Sequence, residues 1–292
     1  MVDSVLKVTS LFTGIGGMDM GFEGKVIVHK DSLMNNEFIK REYTIPEFVE
    51  LKNNNFNIVF QNDIIEGAKE VYGYNNNNNT NYSTKSIYDL LKDNFNFPES
   101  DVVIGGFPCQ DFSHCGKRGG FKSNKSHDLK STINESKDNS RGTLYKCFVE
   151  VVKQVKPKVF VAENVYGLLT MDNNPIEDII KDFSDAGYDV KYQVVYCPDF
   201  GIPQTRKRVI IMGIARNNRK TILQSDWNII TKNKATCCIG KYFNHLDEPN
   251  ETADLSQQMY SKAKKLAKGQ GQIEINMESF APTMRAEHHG NI

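Results

Sequence analysis

A cysteine sits directly behind a proline in GGFPCQDFSH, residues 105–114. A thiol that only fills space packs as a small hydrophobe and needs no such preparation. Cys109 follows an apolar run and a turn held by Gly105, Gly106 and Pro108, and a basic loop comes after it. Taken alone the residue fits an inert thiol; its setting fits a nucleophile. A thiolate attacks far better than a thiol, so such a site must lower the cysteine pKa or supply a base. A carboxyl group that could serve is Glu163 in FVAENVYGLL. At the rim of an apolar strand, desolvation would raise its pKa and let it donate a hydrogen bond or a proton. The plainer reading is an acid at a helix start, with Asn164 as cap. A third group is GIPQTRKRVIIMG, where Arg206 and Arg208 alternate with Lys207. On a strand, alternate residues share a side. Two arginines there suit a phosphate or a base oxygen, or they keep a strand edge soluble.

Two further features could hold a ligand. LFTGIGGMDMGFEG, residues 11–24, lies where a first strand turns into a first helix, the place where open α/β sheets bind cofactors. The third glycine of a dinucleotide fingerprint is replaced by Asp19, which disfavours NAD. Gly14, Gly16 and Gly17 still let backbone approach a ligand. Asp63, in QNDII, falls at the end of the second strand, where an acid can accept hydrogen bonds from ribose hydroxyls. It also precedes a helical run and reads equally as an N-cap. An adenosine-containing ligand without a pyrophosphate satisfies both signals, and S-adenosylmethionine is the commonest such cofactor.

The elements that must position these groups alternate. LKVTSLF (6–12), FNIVFQ (56–61), DVVIGG (101–106), KVFVAEN (158–164), DVKYQVVYC (189–197) and RVIIMGIA (208–215) read as strands. In TLYKCFVEVVKQVKP, Leu144, Phe148, Val151, Val152 and Val155 fall on one helical face and Pro157 ends the helix. IEDIIKDFSDAG repeats the pattern with Ile176, Ile179, Ile180 and Phe183, and Gly187 closes it. This is an α/β layer fold with a largely parallel sheet. The glycine turn, Asp63, Cys109 and Glu163 then all lie just past the carboxyl ends of strands, where such a sheet places its crevice. Residues 25–55 form an insertion with no assigned place. YNNNNNTNYS (74–83) is a low-complexity loop, and residues 116–140 are rich in glycine and lysine. Beyond Asn217 the alternation fades into a smaller, irregular lobe.

Composition limits the readings further. The 292 residues carry 36 Lys+Arg against 36 Asp+Glu, so no global charge advertises a polyanionic partner. Locally, residues 111–158 hold 11 basic against 5 acidic side chains, and residues 204–292 hold 14 against 8. Solvated basic faces are the plainer explanation; two walls of a nucleic-acid groove are the sharper one. The six cysteines show no zinc-finger spacing, and no metal site is expected. With no apolar signal segment and no run long enough to span a membrane, they read as thiols of a cytoplasmic protein.

Together FTGIGGMDMGF, GGFPCQDFS, RGTLY followed by KPKVFVAENVYGLL, and GIPQTRKRVIIMG resemble, in order and spacing, the cytosine-5 DNA methyltransferases of bacterial restriction-modification systems. The resemblance covers roughly residues 5–216 and 280–290. It implies a Rossmann-like S-adenosylmethionine-dependent sheet over residues 1–216, with a catalytic loop about 111–140. It also implies a target-recognition region at 217–281 and a returning segment from 282. By the same resemblance Cys109 adds to C6 of cytosine, Glu163 engages N3, and Arg208, beside Arg206, holds the base oxygen. C5 then takes the methyl group, and the cytosine must leave the duplex to be reached. Phe12, Gly14, Gly16, Gly17, Asp63, Ile64, Ser86 and Pro108 match cofactor-contacting positions; Gln110, Ser113, Gln204 and Arg285 match DNA-contacting ones. The implied partners are double-stranded DNA and a cognate restriction endonuclease.

Four departures stand out. Ser10 occupies the place of an acid, and Ser86, in STKSIYDLL, that of an aspartate that would grip the adenine amino group. The insertion at 25–55 is unusual. After APTMRAEHHGNI, where Thr283 and Arg285 would support the recognition region, the family has one more motif, which completes the cofactor pocket. The expectation is either a truncated product or a second chain that supplies the remainder. A nucleic-acid-binding fragment of a split enzyme and a tRNA cytosine-5 methyltransferase remain as alternative readings.

Overall fold

The computed structural model describes residues 4–24, 26–30, 33, 36–43, 47–76, 80–108, 144–171, 174–218, 238–244, 246–247, 251–253, 255–258 and 276–283. Each apolar, β-branched run expected to be a strand is one. β1 is Leu6–Leu11, β5 Phe56–Asn62, β7 Val102–Gly105, β8 Val159–Val165, β9 Tyr188–Tyr196 and β10 Lys207–Ala215. With the short β6 (Tyr82–Ser83) they form one sheet in the order β6-β5-β1-β7-β8-β10-β9. β6, β5, β1, β7 and β8 run parallel, and β10 returns antiparallel to β8. The α/β expectation of a largely parallel sheet therefore holds.

The register of this sheet sets the geometry of everything beyond it. Leu11 pairs with Asn62 on one side and Gly105 on the other; Gly105 pairs in turn with Ala162, and Asn62 with Ser83. The next residues, Asp63, Phe12 and Gly106, thus leave the sheet from one row, and Glu163 stands level with them inside β8. Gly105 is required at that row, because a β-carbon there would run into the Leu11 carbonyl oxygen.

Two apolar layers hold the sheet. On one side α4 (Leu144–Val155) and α5 (Pro175–Asp185) pack through Phe148, Val151, Val152, Ile179 and Phe183 onto Phe60, Val103, Phe160 and Ile211. On the other, Met18 and Phe22 of α1 (Gly17–Glu23) cover Val8, Ile58 and Ile104. α5 ends as its sequence requires: Gly187, at φ +100°, donates its N–H to Ser184. Gly213 leaves room for the Phe160 ring, which lies where its side chain would be.

The insertion at 25–55 folds rather than loops. β2 (Ile27–His29), β4 (Phe48–Leu51) and β3 (Ile39–Glu42) make a three-stranded sheet of their own, with β3 antiparallel to β4. The chain forms two compact units. The first takes in the described residues up to Val28, Glu37–Val194 and the chain from Arg208 to Asn218; the second takes in His29–Asn36, Val195–Lys207 and the described residues from 238 onward. The second unit holds two helices of one turn each, α6 (Gly240–Phe243) and α7 (Leu255–Gln258), and a ring contact of 4.7 Å between His29 and Tyr242. α2 (Glu66–Asn75) and α3 (Ile87–Lys92) complete the first.

An aromatic stack joins α5 to β8 in the core. Phe183 is fully buried, stacked on Phe160 at 4.0 Å and edge-on to Phe148 at 5.8 Å. Truncating a buried phenylalanine removes its transfer free energy and leaves a cavity. Phe183→Ala is expected to cost about 3–5 kcal/mol in urea unfolding; a loss below about 1 kcal/mol would contradict this packing.

Candidate active site

β8 alternates along its length, so Ala162 and Asn164 are buried while Glu163 stays on the more open face. In the antiparallel pair Ile210 lies opposite Glu163, which makes Arg208 its diagonal neighbour on the same face. The Arg208 Nε reaches Glu163 Oε1 at 2.6 Å, with the side chains 19% and 28% exposed. This charge-assisted bond fixes one carboxylate oxygen. The other, Oε2, lies over Gly106, 3.1 Å from where a β-carbon would be. The two glycines thus have separate causes: Gly105 for the neighbouring strand, Gly106 for the glutamate.

Asn164 works on the opposite side of the same strand. Buried to 1% exposure, it donates from Nδ2 to the Phe107 carbonyl at 3.3 Å, while its Oδ1 accepts the Val165 N–H at 2.8 Å. It braces the backbone that runs through Phe107 and Pro108 toward Cys109. The expected role of Asn164 as a helix cap is corrected: β8 continues through it, and Val165 precedes the short helical turn Tyr166–Leu169. Glu163, expected as a desolvated lone acid, is an ion-paired one.

The glycine turn is held by side chains from β6 and from the residue that follows β5. Gly14 donates its N–H to Asp63 Oδ2 at 3.0 Å, and its carbonyl accepts the Tyr82 hydroxyl at 2.8 Å. Asp63 Oδ1 accepts the Ile65 N–H at 3.1 Å. The N-cap reading of Asp63 is therefore replaced, since Ile65 occupies the cap of α2 and makes no side-chain cap bond. Phe12 bends the chain off β1 at φ +53°, a left-handed conformation that costs a non-glycine residue about 1–2 kcal/mol. Gly14 and Gly17 have open space where their β-carbons would be. Beside them Ile15 and Ile64 are 56% and 47% exposed. Bare glycines, exposed apolar side chains and a carboxylate at two adjacent strand ends fit a nucleoside-sized group.

One participant figured in the sequence only as a missing glycine. Asp19, which breaks the glycine fingerprint, is 2% exposed and accepts the Ser10 hydroxyl at 2.6 Å and the Tyr72 hydroxyl at 3.0 Å. The Ser10 oxygen accepts in turn from Thr13 Oγ1 at 2.9 Å. Burial pushes the Asp19 carboxyl up from 3.8 to about 6, against the lowering effect of the two hydroxyls. Desolvation, and then the nearby Asp19 charge, raise the Tyr72 phenol, which stays a donor. A serine at the end of β1 and an acid nine residues later gave no local pattern to read.

Ser86 takes the N-cap position of α3 without a side-chain cap bond. Pro108 is half-buried at the end of the described turn. In the second unit Gln204 bridges Ala281, whose carbonyl accepts the Thr205 N–H at 2.8 Å, and Thr283 Oγ1 donates to the Thr205 carbonyl at 2.8 Å. Arg206 lies one residue before β10 and donates its N–H to the Gln204 carbonyl at 2.7 Å. Cys109, Gln110, Ser113 and Arg285, the loop at 111–140 and most of the region at 217–281 lie outside the described residues. Among the described residues no cluster of acids, histidines and cysteines could hold a metal, and no helix is long and apolar enough to cross a membrane. Cys147, half-buried in α4, has its thiol pushed up to about 11 by desolvation, which leaves it unreactive.

The raised Asp19 carboxyl has a measurable consequence. Between about pH 4 and 6 the native state holds a proton there that the unfolded chain has released, so stability falls as pH rises through that window. Relative to Asp19→Asn, the unmodified chain should lose up to roughly 3 kcal/mol between pH 4 and pH 7 in urea unfolding. Parallel pH curves for the two proteins would show that this carboxyl titrates as it does in water.

A family model for the C-5 cytosine-specific DNA methylases matches residues 6–290. The type II methyltransferase M.BsuRI of Bacillus subtilis is 32% identical over 216 residues, covering 73% of this chain and 44% of the relative. M.BspRI of Lysinibacillus sphaericus is 34% identical over 210 residues, covering 71% and 44%. The match thus spans less than half the length of these curated relatives. The fold is similar to that of the Entamoeba histolytica methyltransferase EhMeth, with a TM-score of 0.51 at 19% identity over 85% of this chain and 62% of that one. The sheet, its row of strand-end residues and a family match over nearly the whole sequence lead to one assignment: the chain belongs to the C-5 cytosine-specific DNA methylase family.

Proposed function

We propose that this chain carries the catalytic machinery of a DNA cytosine-5 methyltransferase that uses S-adenosylmethionine. The observation that carries this reading is the Glu163–Arg208 pair at 2.6 Å, set against Gly106 two residues before the Pro108–Cys109 step. Cys109 is the nucleophile: its thiolate bonds to C6 of a flipped cytosine, and the electron pair of the C5–C6 double bond is pushed toward C5 and the ring. Glu163 engages N3, so that no full negative charge builds on the ring, and Arg208 orients Glu163 and meets the base oxygen. Once C5 has bonded to the methyl carbon and the donor sulfur has left with the pair of the broken S–CH3 bond, loss of the C5 proton to a base re-forms the double bond and expels the Cys109 thiolate. Asn164 holds the turn that delivers the cysteine.

The residues we assign to the cofactor are Gly14, Gly16 and Gly17 at the turn and Asp63 at the adjacent strand end, together with Phe12, Ile64, Ser86 and Pro108. Bound there, S-adenosylmethionine supplies an electrophilic methyl group. Gln204, Arg206 and Arg285, with Gln110 and Ser113, serve DNA contact. Residues 217–281 serve target recognition, and a restriction endonuclease is the companion activity.

The test is methyl transfer to duplex DNA and, in parallel, to tRNA, read as 5-methylcytosine. Transfer to DNA is expected, with Cys109→Ala abolishing it and Glu163→Gln lowering the rate by about 10²–10⁴-fold. A duplex carrying 5-fluorocytosine should become covalently attached to the unmodified chain and not to Cys109→Ala. Methylation that survives Cys109→Ala would refute the mechanism, and transfer confined to tRNA would refute the substrate.

A further inference from the structure

The mechanism above makes no use of Asp19, yet the fold spends a buried carboxylate on it. A carboxyl taken out of water is unfavourable unless its lone pairs are filled, and here they are filled from two directions. Ser10, at the end of β1, supplies one hydroxyl at 2.6 Å, and Tyr72, on α2, supplies the other at 3.0 Å. Ser10 precedes the glycine turn and Asp19 follows it, so their bond closes residues 11–18 into a loop with fixed ends. The Tyr72 ring then lies directly against Gly16, 2.5 Å from where a β-carbon would be, with Gly16 at φ +90°. Thr13 is tied at both ends of its hydroxyl, donating to Ser10 and accepting the Asn62 N–H at 3.3 Å.

We propose that Asp19 is a positioning residue for the cofactor: its carboxylate, gripped by Ser10 and Tyr72, sets the conformation of the turn Thr13–Gly17 on which S-adenosylmethionine rests. The inference depends on the reading of that turn as the cofactor site. Its physical content is that an acceptor-only group can take both hydroxyls at once, whereas a protonated carboxyl must give up one acceptor position. The loop is then held firmly only while Asp19 is ionised. The groups that face Asp19 are Ser10 from β1, Tyr72 from α2 and Glu23 from its own helix. Tyr82, which holds Gly14, lies near Asp63 and Glu66 as well as Asp19. Gln61 also reaches the Tyr72 hydroxyl.

The experiment is calorimetric binding of S-adenosylhomocysteine to the full chain between pH 5 and 8, without DNA. The proteins compared are the unmodified chain, Tyr72→Phe, Ser10→Ala and Asp19→Asn, each checked for folding by its thermal transition. Tyr72→Phe keeps the ring against Gly16 and removes only the hydroxyl. Its dissociation constant should rise about 5–10-fold, one lost hydrogen bond's worth, and Ser10→Ala should behave similarly. The affinity of the unmodified chain should weaken several-fold as pH falls below about 6. Asp19→Asn should be weaker at pH 7.5 and lack that pH step, which also subtracts any titration of the ligand. Equal affinities and superimposable pH profiles for the folded proteins would overturn the positioning role. If the unmodified chain binds no ligand at any pH, the cofactor site itself is wrongly assigned and this role falls with it. Should one variant fail to fold, the remaining pair still decides between these outcomes.

Discussion

β1 hydrogen-bonds in parallel to β5 on one side and to β7 on the other, and β7 continues the row to β8. That register is the constraint from which the site follows. Because Asn62, Leu11, Gly105 and Ala162 lie abreast, Asp63, Phe12, Gly106 and Glu163 stand abreast. A slip of one residue would turn each side chain to the other face of the sheet, burying Glu163 and exposing Asn164. Gly105 guards the register from inside, because only a residue without a side chain fits against the Leu11 carbonyl.

Beyond the row, two small constructions share one design. In each, a short backbone turn is fixed by polar side chains from neighbouring elements rather than by its own sequence. At the turn before Cys109, Asn164 grips the Phe107 carbonyl from the buried side while Glu163 lies over Gly106 from the open side. At the glycine turn, Asp63 and Tyr82 take the two backbone groups of Gly14, and Asp19 links the strand before it to the helix after it. The groups doing the fixing stand on the sheet and its flanking helices, which is how a loop acquires a defined shape without giving up its exposure.

The two apolar layers supply the stiffness that these turns need. Phe148, Phe160 and Phe183 interlock under β8, the strand that carries both Glu163 and Asn164. The other layer, from Met18 and Phe22, seats α1 against β1 and so fixes where Asp19 enters the interior. The site thus inherits its precision from packing at some distance from it.

Much of this was legible in the residues themselves. Alternating and β-branched runs gave six strands to within about two residues, and the apolar faces with their Pro157 and Gly187 stops gave α4 and α5. Chain order and strand ends were enough to place the glycine turn and Asp63 on one edge, with Glu163 level with them inside β8 rather than past its end; Cys109 lies outside the described residues. Local patterns fell short wherever a side chain answers a partner distant in sequence. Asp63 looked like a helix cap because its helix lies next in the chain, but besides the Ile65 N–H its carboxylate takes the N–H of Gly14, 49 residues away. Asn164 looked like a cap and is a brace. Asp19 looked like a failed glycine and is a buried acid with two donors. The three-stranded sheet inside the insertion escaped because strands of three or four residues with polar flanks carry little periodicity. The sequence alone determined the alternation of elements and which residue types wait at the strand ends, since both are written in neighbouring residues. Only the tertiary structure decided which of those residues pair, because hydrogen bonds and ion pairs depend on distances that the sheet register and the helix packing create.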